Sequence, residues 1–68
     1  MLIQYEKIKV GDTLICNVLS NNGITQIEHI VTRIEFLDMY GIRSDINKEV
    51  AILGASILEH KTSNNTTK

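Results

Sequence analysis

Cys16, His29, His60 and Asp12 are the side chains of this 68-residue chain whose types could carry chemistry. A cysteine beside a histidine can serve as a nucleophile with its base, and two histidines with an aspartate can hold a metal ion. The spacing supports neither. With one cysteine there is no Cys-x-x-Cys or Cys/His framework, and uniting His29, His60 and Asp12 would require closure of the whole chain. Glu28-His29 and Glu59-His60 repeat as dipeptides, but neighbours in a strand point to opposite faces, so neither dipeptide is an acid–base pair by itself. Cys16 sits in the apolar phase of its segment and reads as a small buried hydrophobe. A glycine-rich phosphate loop and a nucleophile elbow are also missing from the sequence. The expectation is a non-enzymatic protein with no catalytic residue, no metal, no cofactor and no small-molecule substrate.

Lys7, Lys9, Lys48 and Lys61 are the residues a nucleic-acid-binding surface would use. Against them stands a net charge of −1, from 7 basic and 8 acidic residues, which removes the broad attraction to phosphate that such proteins display. No window approaches the roughly 18 apolar residues of a membrane span, and residues 1–6 lack the basic start and apolar run of a secretory signal. These features, with a lone cysteine, point to a cytoplasmic protein that does not engage membranes. Heavy use of Ile and Asn fits an AT-rich coding source such as a bacteriophage or a low-GC bacterium.

The elements that would position these residues are strands. Ile, Leu and Val supply 21 residues, 11 of them Ile, and proline is absent, a composition that favours β-structure. A segment of 68 residues makes one small domain, read as residues 1–61 with a flexible polar tail over residues 62–68. Residues 2–10 are apolar enough to cover one end of a barrel. Gly11-Asp12 forms a turn in which glycine supplies a positive φ and the carboxylate accepts backbone N–H groups. The first strand runs from Thr13 to about Leu19 with Leu14, Cys16 and Val18 inward. Ser20-Asn21-Asn22-Gly23 is a loop, and a long second strand spans roughly Ile24 to Leu37, with a bulge or a sharp bend around Gln26 to His29.

The later half of that strand alternates, with Ile30, Thr32, Ile34 and Phe36 on one face and Val31, Arg33, Glu35 and Leu37 on the other. The first set is expected inside. A three-residue loop at Asp38-Met39-Tyr40 would pair Phe36 with Ile42, Glu35 with Arg43 and Arg33 with Asp45, setting apolar against apolar and opposite charges together. A short strand over Val50 to Leu53 follows with its register open; pairing Ile42 with Ile52 and Ser44 with Val50 would keep the same interior face but set Asp45 opposite Glu49. Gly54-Ala55-Ser56 makes a 3₁₀-like turn, and Ile57-Leu58-Glu59-His60 closes the sheet.

The sequence Val10-Gly11-Asp12, the long bent strand, the tight hairpin, the Gly54-Ala55-Ser56 turn and the final Ile57-Leu58-Glu59 together resemble the SH3-like barrel in its KOW and Tudor forms. That likeness implies an all-β fold, a small, strongly bent five-stranded antiparallel barrel with a disordered C-terminal tail. Family functions fit unevenly. Tyr5, Phe36 and Tyr40 are too dispersed for an aromatic cage or a proline-reading groove, and the first loop lacks the basic residues with which KOW modules contact RNA.

Six large apolar side chains are left in the outward phase: Ile15, Leu19, Val31, Leu37, Leu53 and Leu58. Joined on one side they would form an interface of the size that marks a protein partner or self-association. The function expected is therefore a small protein-binding module, either a phage-encoded modulator of a host protein or a subunit of an assembly, homodimeric or bound to another protein. The alternative is an RNA- or DNA-binding barrel using the four lysines.

Overall fold

The structure, a computed structural model, describes residues 3–36 and 38–63. It is all-β: five antiparallel strands, β1 (Thr13–Ser20), β2 (Gly23–Glu35), β3 (Asp38–Arg43), β4 (Lys48–Ala51) and β5 (Ile57–Lys61), lie in the order β4-β3-β2-β1-β5. Two 3₁₀ turns, Tyr5–Lys7 and Gly54–Ser56, precede β1 and β5 respectively. The first four strands form a meander, and β5 returns to the free side of β1. No ladder joins β4 to β5 among the described residues, so the sheet is curved but open.

β1 follows its sequence pattern. Leu14 and Cys16 are buried and Val18 half-buried on one face. The turn before it is also as expected: Gly11 has φ +98°, in the left-handed region that costs a side-chain-bearing residue free energy. Backbone hydrogen bonds from Gly11 to Val31 and from Val31 to Asp12 fasten this turn to β2. Ile3 and Ile8 cover the end of the core as the N-terminal segment was expected to do.

β2 departs from expectation. Its register with β1 is unbroken from Ser20↔Gly23 to Thr13↔Ile30, so no bulge lies between Gln26 and His29. The irregularity lies at Thr32, which is extra between Val31↔Gly41 and Arg33↔Tyr40 in the ladder with β3. The faces are also assigned differently. Val31 is 1% exposed and belongs to the core, while Ile30 and Ile34 are partly exposed and Phe36 stands 98% exposed. The buried core is Ile8, Leu14, Cys16, Val31, Ile52 and Ile57, with Ile3 and Met39 packed against it.

The β2–β3 hairpin is tighter than a three-residue loop would make it, since Glu35 already pairs with Asp38. Ile42 consequently faces Ile30 rather than Phe36, and Glu49 rather than Ile52. Other ion pairs stand where the cross-strand ones were expected: Arg33 with Glu35 and Glu49, and Arg43 with Asp45. Arg33 also lies 4.0 Å above the Tyr40 ring. Exposed pairs of this kind contribute little each, so they do not set the register.

Gly41 helps to set it. A Cβ there would come within 2.7 Å of the Ile30 carbonyl oxygen and 2.8 Å of Ile52 Cδ1. Opposite Val31, only glycine lets Ile52 close over the sheet.

Candidate interaction site

Asp12 and His60, far apart in sequence, meet at the start of β1. His60 reaches Asp12 because both it and His29 are ladder partners of Leu14, from β5 and β2 respectively. Its Nε2 lies 2.7 Å from Asp12 Oδ2, and since a carboxylate only accepts, Nε2 donates. Lys9 and Ser63 backbone N–H groups donate to the same carboxylate at 3.0 and 2.9 Å. Burial pushes the Asp12 carboxyl up, but the His60, Lys9 and Ser63 hydrogen bonds outweigh it and hold the group at about 2. The arrangement ties the first turn, β5 and the residues after β5 into one knot, and Ser63 carries ordered contacts two residues past Lys61. Residues 64–68, the remainder of the expected tail, lie outside the described residues.

The other chemically capable side chains are held apart. Leu14 stands between His29 and His60 on neighbouring strands, which sets the two histidine backbones about 10 Å apart. The ring of His29 engages the Ile27 carbonyl at 3.0 Å. Cys16 is 2% exposed. Burial pushes its thiol up, and a hydrogen bond with Ser56 only partly offsets this, so it is not poised as a thiolate. Among the described residues no three His, Cys, Asp or Glu side chains are placed to share a metal ion.

Five of the six expected interface residues lie among the described residues. Val31 is the clear correction: two residues on from His29, the ladder partner of the buried Leu14, it keeps to the inner face opposite Gly41, where no partner can reach it. Leu37 lies outside the described residues. Leu19 and Leu53 are 80% and 72% exposed beside one shallow recess, while Ile15 is half-buried and Leu58 is 47% exposed. Leu58 is the residue left over where β5 loses register with β1.

The lysines are divided. Lys7 and Lys9 border a hollow that also contains Glu6 and Asp12. Lys48 and Lys61 stand on β4 and β5, the two opposite edges of the sheet.

An apolar groove is what the structure does assemble. Tyr5 and Ile8 form one bank, Ile34, Phe36 and Met39 the other, and Ile52 lies between, enclosing about 530 Å³. Tyr5 is fixed there by its hydroxyl, which donates to the Gly54 carbonyl at 3.1 Å. Ile34 faces the groove because it pairs with Met39 on the inner side of the sheet, beyond the end of the core. The sequence pattern hid this groove by assigning Ile34 and Phe36 to the interior.

No protein-family model matches this sequence, and no curated protein or solved structure gives a significant match. In the described residues no helix is long and apolar enough to cross a membrane.

Proposed function

We propose that the protein is a non-enzymatic protein-binding module of SH3-like architecture, working in the cytoplasm through the groove between Tyr5 and Phe36. The observation that carries this reading is Phe36, 98% exposed beside the part-exposed Ile34 and Tyr5. Burying a phenylalanine is worth about 2 kcal/mol, and among the described residues that free energy goes unused. The meander with β5 returned to β1, and the 3₁₀ turn immediately before β5, support the SH3-like assignment. The heavy use of Ile and Asn agrees with a phage-encoded modulator or a small assembly subunit.

The reading is tested by affinity capture from cells of the source, with wild type and Phe36→Ser compared side by side. A stoichiometric protein recovered with wild type and lost with Phe36→Ser supports it, as does a dimer in light scattering that the substitution dissolves. A strict monomer that recovers the same proteins with and without Phe36 refutes it.

A further inference from the structure

We infer that the groove takes a peptide segment with an apolar anchor flanked by lysine or arginine, an inference that rests on the protein-binding reading and names the chemistry of the partner. The apolar floor supplies the first half. Tyr5, Ile34 and Phe36 are all substantially exposed around it, so an incoming side chain meets apolar surface on both banks without prior rearrangement of the core.

The charges supply the second half. Two carboxylates line the groove, Glu6 from the first 3₁₀ turn and Asp38 from the start of β3, and among the described residues no basic side chain lines it. Among the described residues neither is in a salt bridge, whereas Glu35 and Glu49 are engaged by Arg33 and Asp45 by Arg43. Glu28 and Glu59, opposite Ile15 on β2 and β5, are likewise outside the salt bridges, but of these four acids only Glu6 and Asp38 border the apolar surface, one from the N-terminal segment and one from the β2–β3 hairpin. Complementary charges there would steer a basic segment in and repel an acidic one.

β2 offers a further feature for an extended segment. Its ladder with β1 ends at Thr13↔Ile30, and the backbone bonds between the Gly11-Asp12 turn and Val31 are the last on that side. From Arg33 to Glu35 the edge of β2 has no strand beside it among the described residues. A peptide in β conformation could therefore add backbone hydrogen bonds while its side chains enter the groove, as in other strand-addition complexes.

The test is fluorescence polarisation with labelled synthetic peptides that share a Leu-Ile-Phe core and differ in their flanks: two lysines on each side, two glutamates on each side, or lysines around a Gly-Ser core. The lysine-flanked apolar peptide should bind about tenfold more tightly than the glutamate-flanked one at low salt. That ratio should shrink towards one in 1 M salt, where the screening length falls to about 3 Å. Phe36→Ser should weaken binding about tenfold, Asp38→Lys, which leaves the groove with one acid and one base, should erase the preference of flanks, and Leu19→Ser, at a residue that does not line the groove, should change neither. Equal affinity for the two flanks, or binding of the Gly-Ser peptide as tight as that of the apolar one, overturns the inference. So does a dimer that dissociates with Phe36→Ser, since the groove is then filled by a second copy, although the protein-binding reading survives that result. If no peptide binds and Phe36→Ser loses nothing in affinity capture, both fail.

Discussion

Replacing Asp12 by asparagine removes one charge from a position that is 3% exposed while keeping the side chain's shape. The carboxyl titrates from an unperturbed 3.8 to about 2 in the folded protein, because hydrogen bonds from His60, Lys9 and Ser63 overcome the effect of burial. At about 1.4 kcal/mol per pH unit, that depression corresponds to about 2 kcal/mol of folding free energy. A folded value below the unfolded one means the contribution is complete above the unfolded value, and is lost as the pH falls through the folded value. Domains of this length are held by roughly 3–10 kcal/mol in all, so the Asp12 knot is a large share. Urea unfolding followed by far-UV circular dichroism, from pH 7 to pH 2, should show wild type about 2 kcal/mol more stable than Asp12→Asn down to about pH 5. The gap should close as the pH approaches 2. Asp45 and Glu49, whose carboxyls are also held low by arginine and threonine partners, are exposed and present in both proteins, so they cancel in the difference. A gap that stays constant between pH 5 and pH 2 would refute the assignment of this stability to the ionised Asp12.

Val31→Lys should leave the protein unfolded in circular dichroism, because it places an unpaired charge at a position 1% exposed, whereas Ile30→Lys, at 40% exposure, should cost no more than about 1 kcal/mol; the reverse outcome would restore the opposite assignment of faces. Gly41→Ala should destabilise by about 3 kcal/mol in denaturant titration, since the new methyl group meets the Ile30 backbone and Ile52. Phe36→Ser should leave the melting temperature within about 3 °C of wild type, the ring contributing no packing at 98% exposure. Cys16 should react with a thiol-specific disulfide reagent at least about a hundredfold more slowly in the native protein than in denaturant, because it is buried and its thiol is pushed up.

What the sequence shows plainly is whatever rests on a local rule with one solution. Gly11 takes the positive φ that its turn requires, and Asp12 accepts the backbone N–H of Lys9. Leu14 and Cys16 alternate with half-buried neighbours, and Gly54–Ser56 forms its 3₁₀ turn directly before β5. The partnership of Asp12 with His60 depends on β5 returning to β1, a non-local event that no spacing between residues 12 and 60 records. Charge pairing misled for a different reason. Arg33 and Arg43 each have an acid two residues ahead on the same chain, Glu35 and Asp45, so the partners that suggested a cross-strand register were already available without it.

The faces of β2 failed on a sharper point. A strict period of two can put either Val31 or Ile34 inside, but not both. With Thr32 as an extra residue the phase changes within the strand, so Val31 faces Gly41 and Ile34 faces Met39 on the same inner side. The larger count of apolar residues in the set Ile30, Ile34 and Phe36 then carries no information about the core, since its members end in three different places. Ile30 lies on the outer face opposite Thr13 and Ile42, Ile34 on the inner face past the core, and Phe36 in the turn. The bulge that defeats the pattern also creates the groove, because it returns an isoleucine to the inner side where the hairpin has outrun the residues able to cover it. Tyr5, held by Gly54, faces it across open space. A strand that kept perfect alternation would have left Ile34 on the outer sheet surface and no apolar floor for a partner to fill.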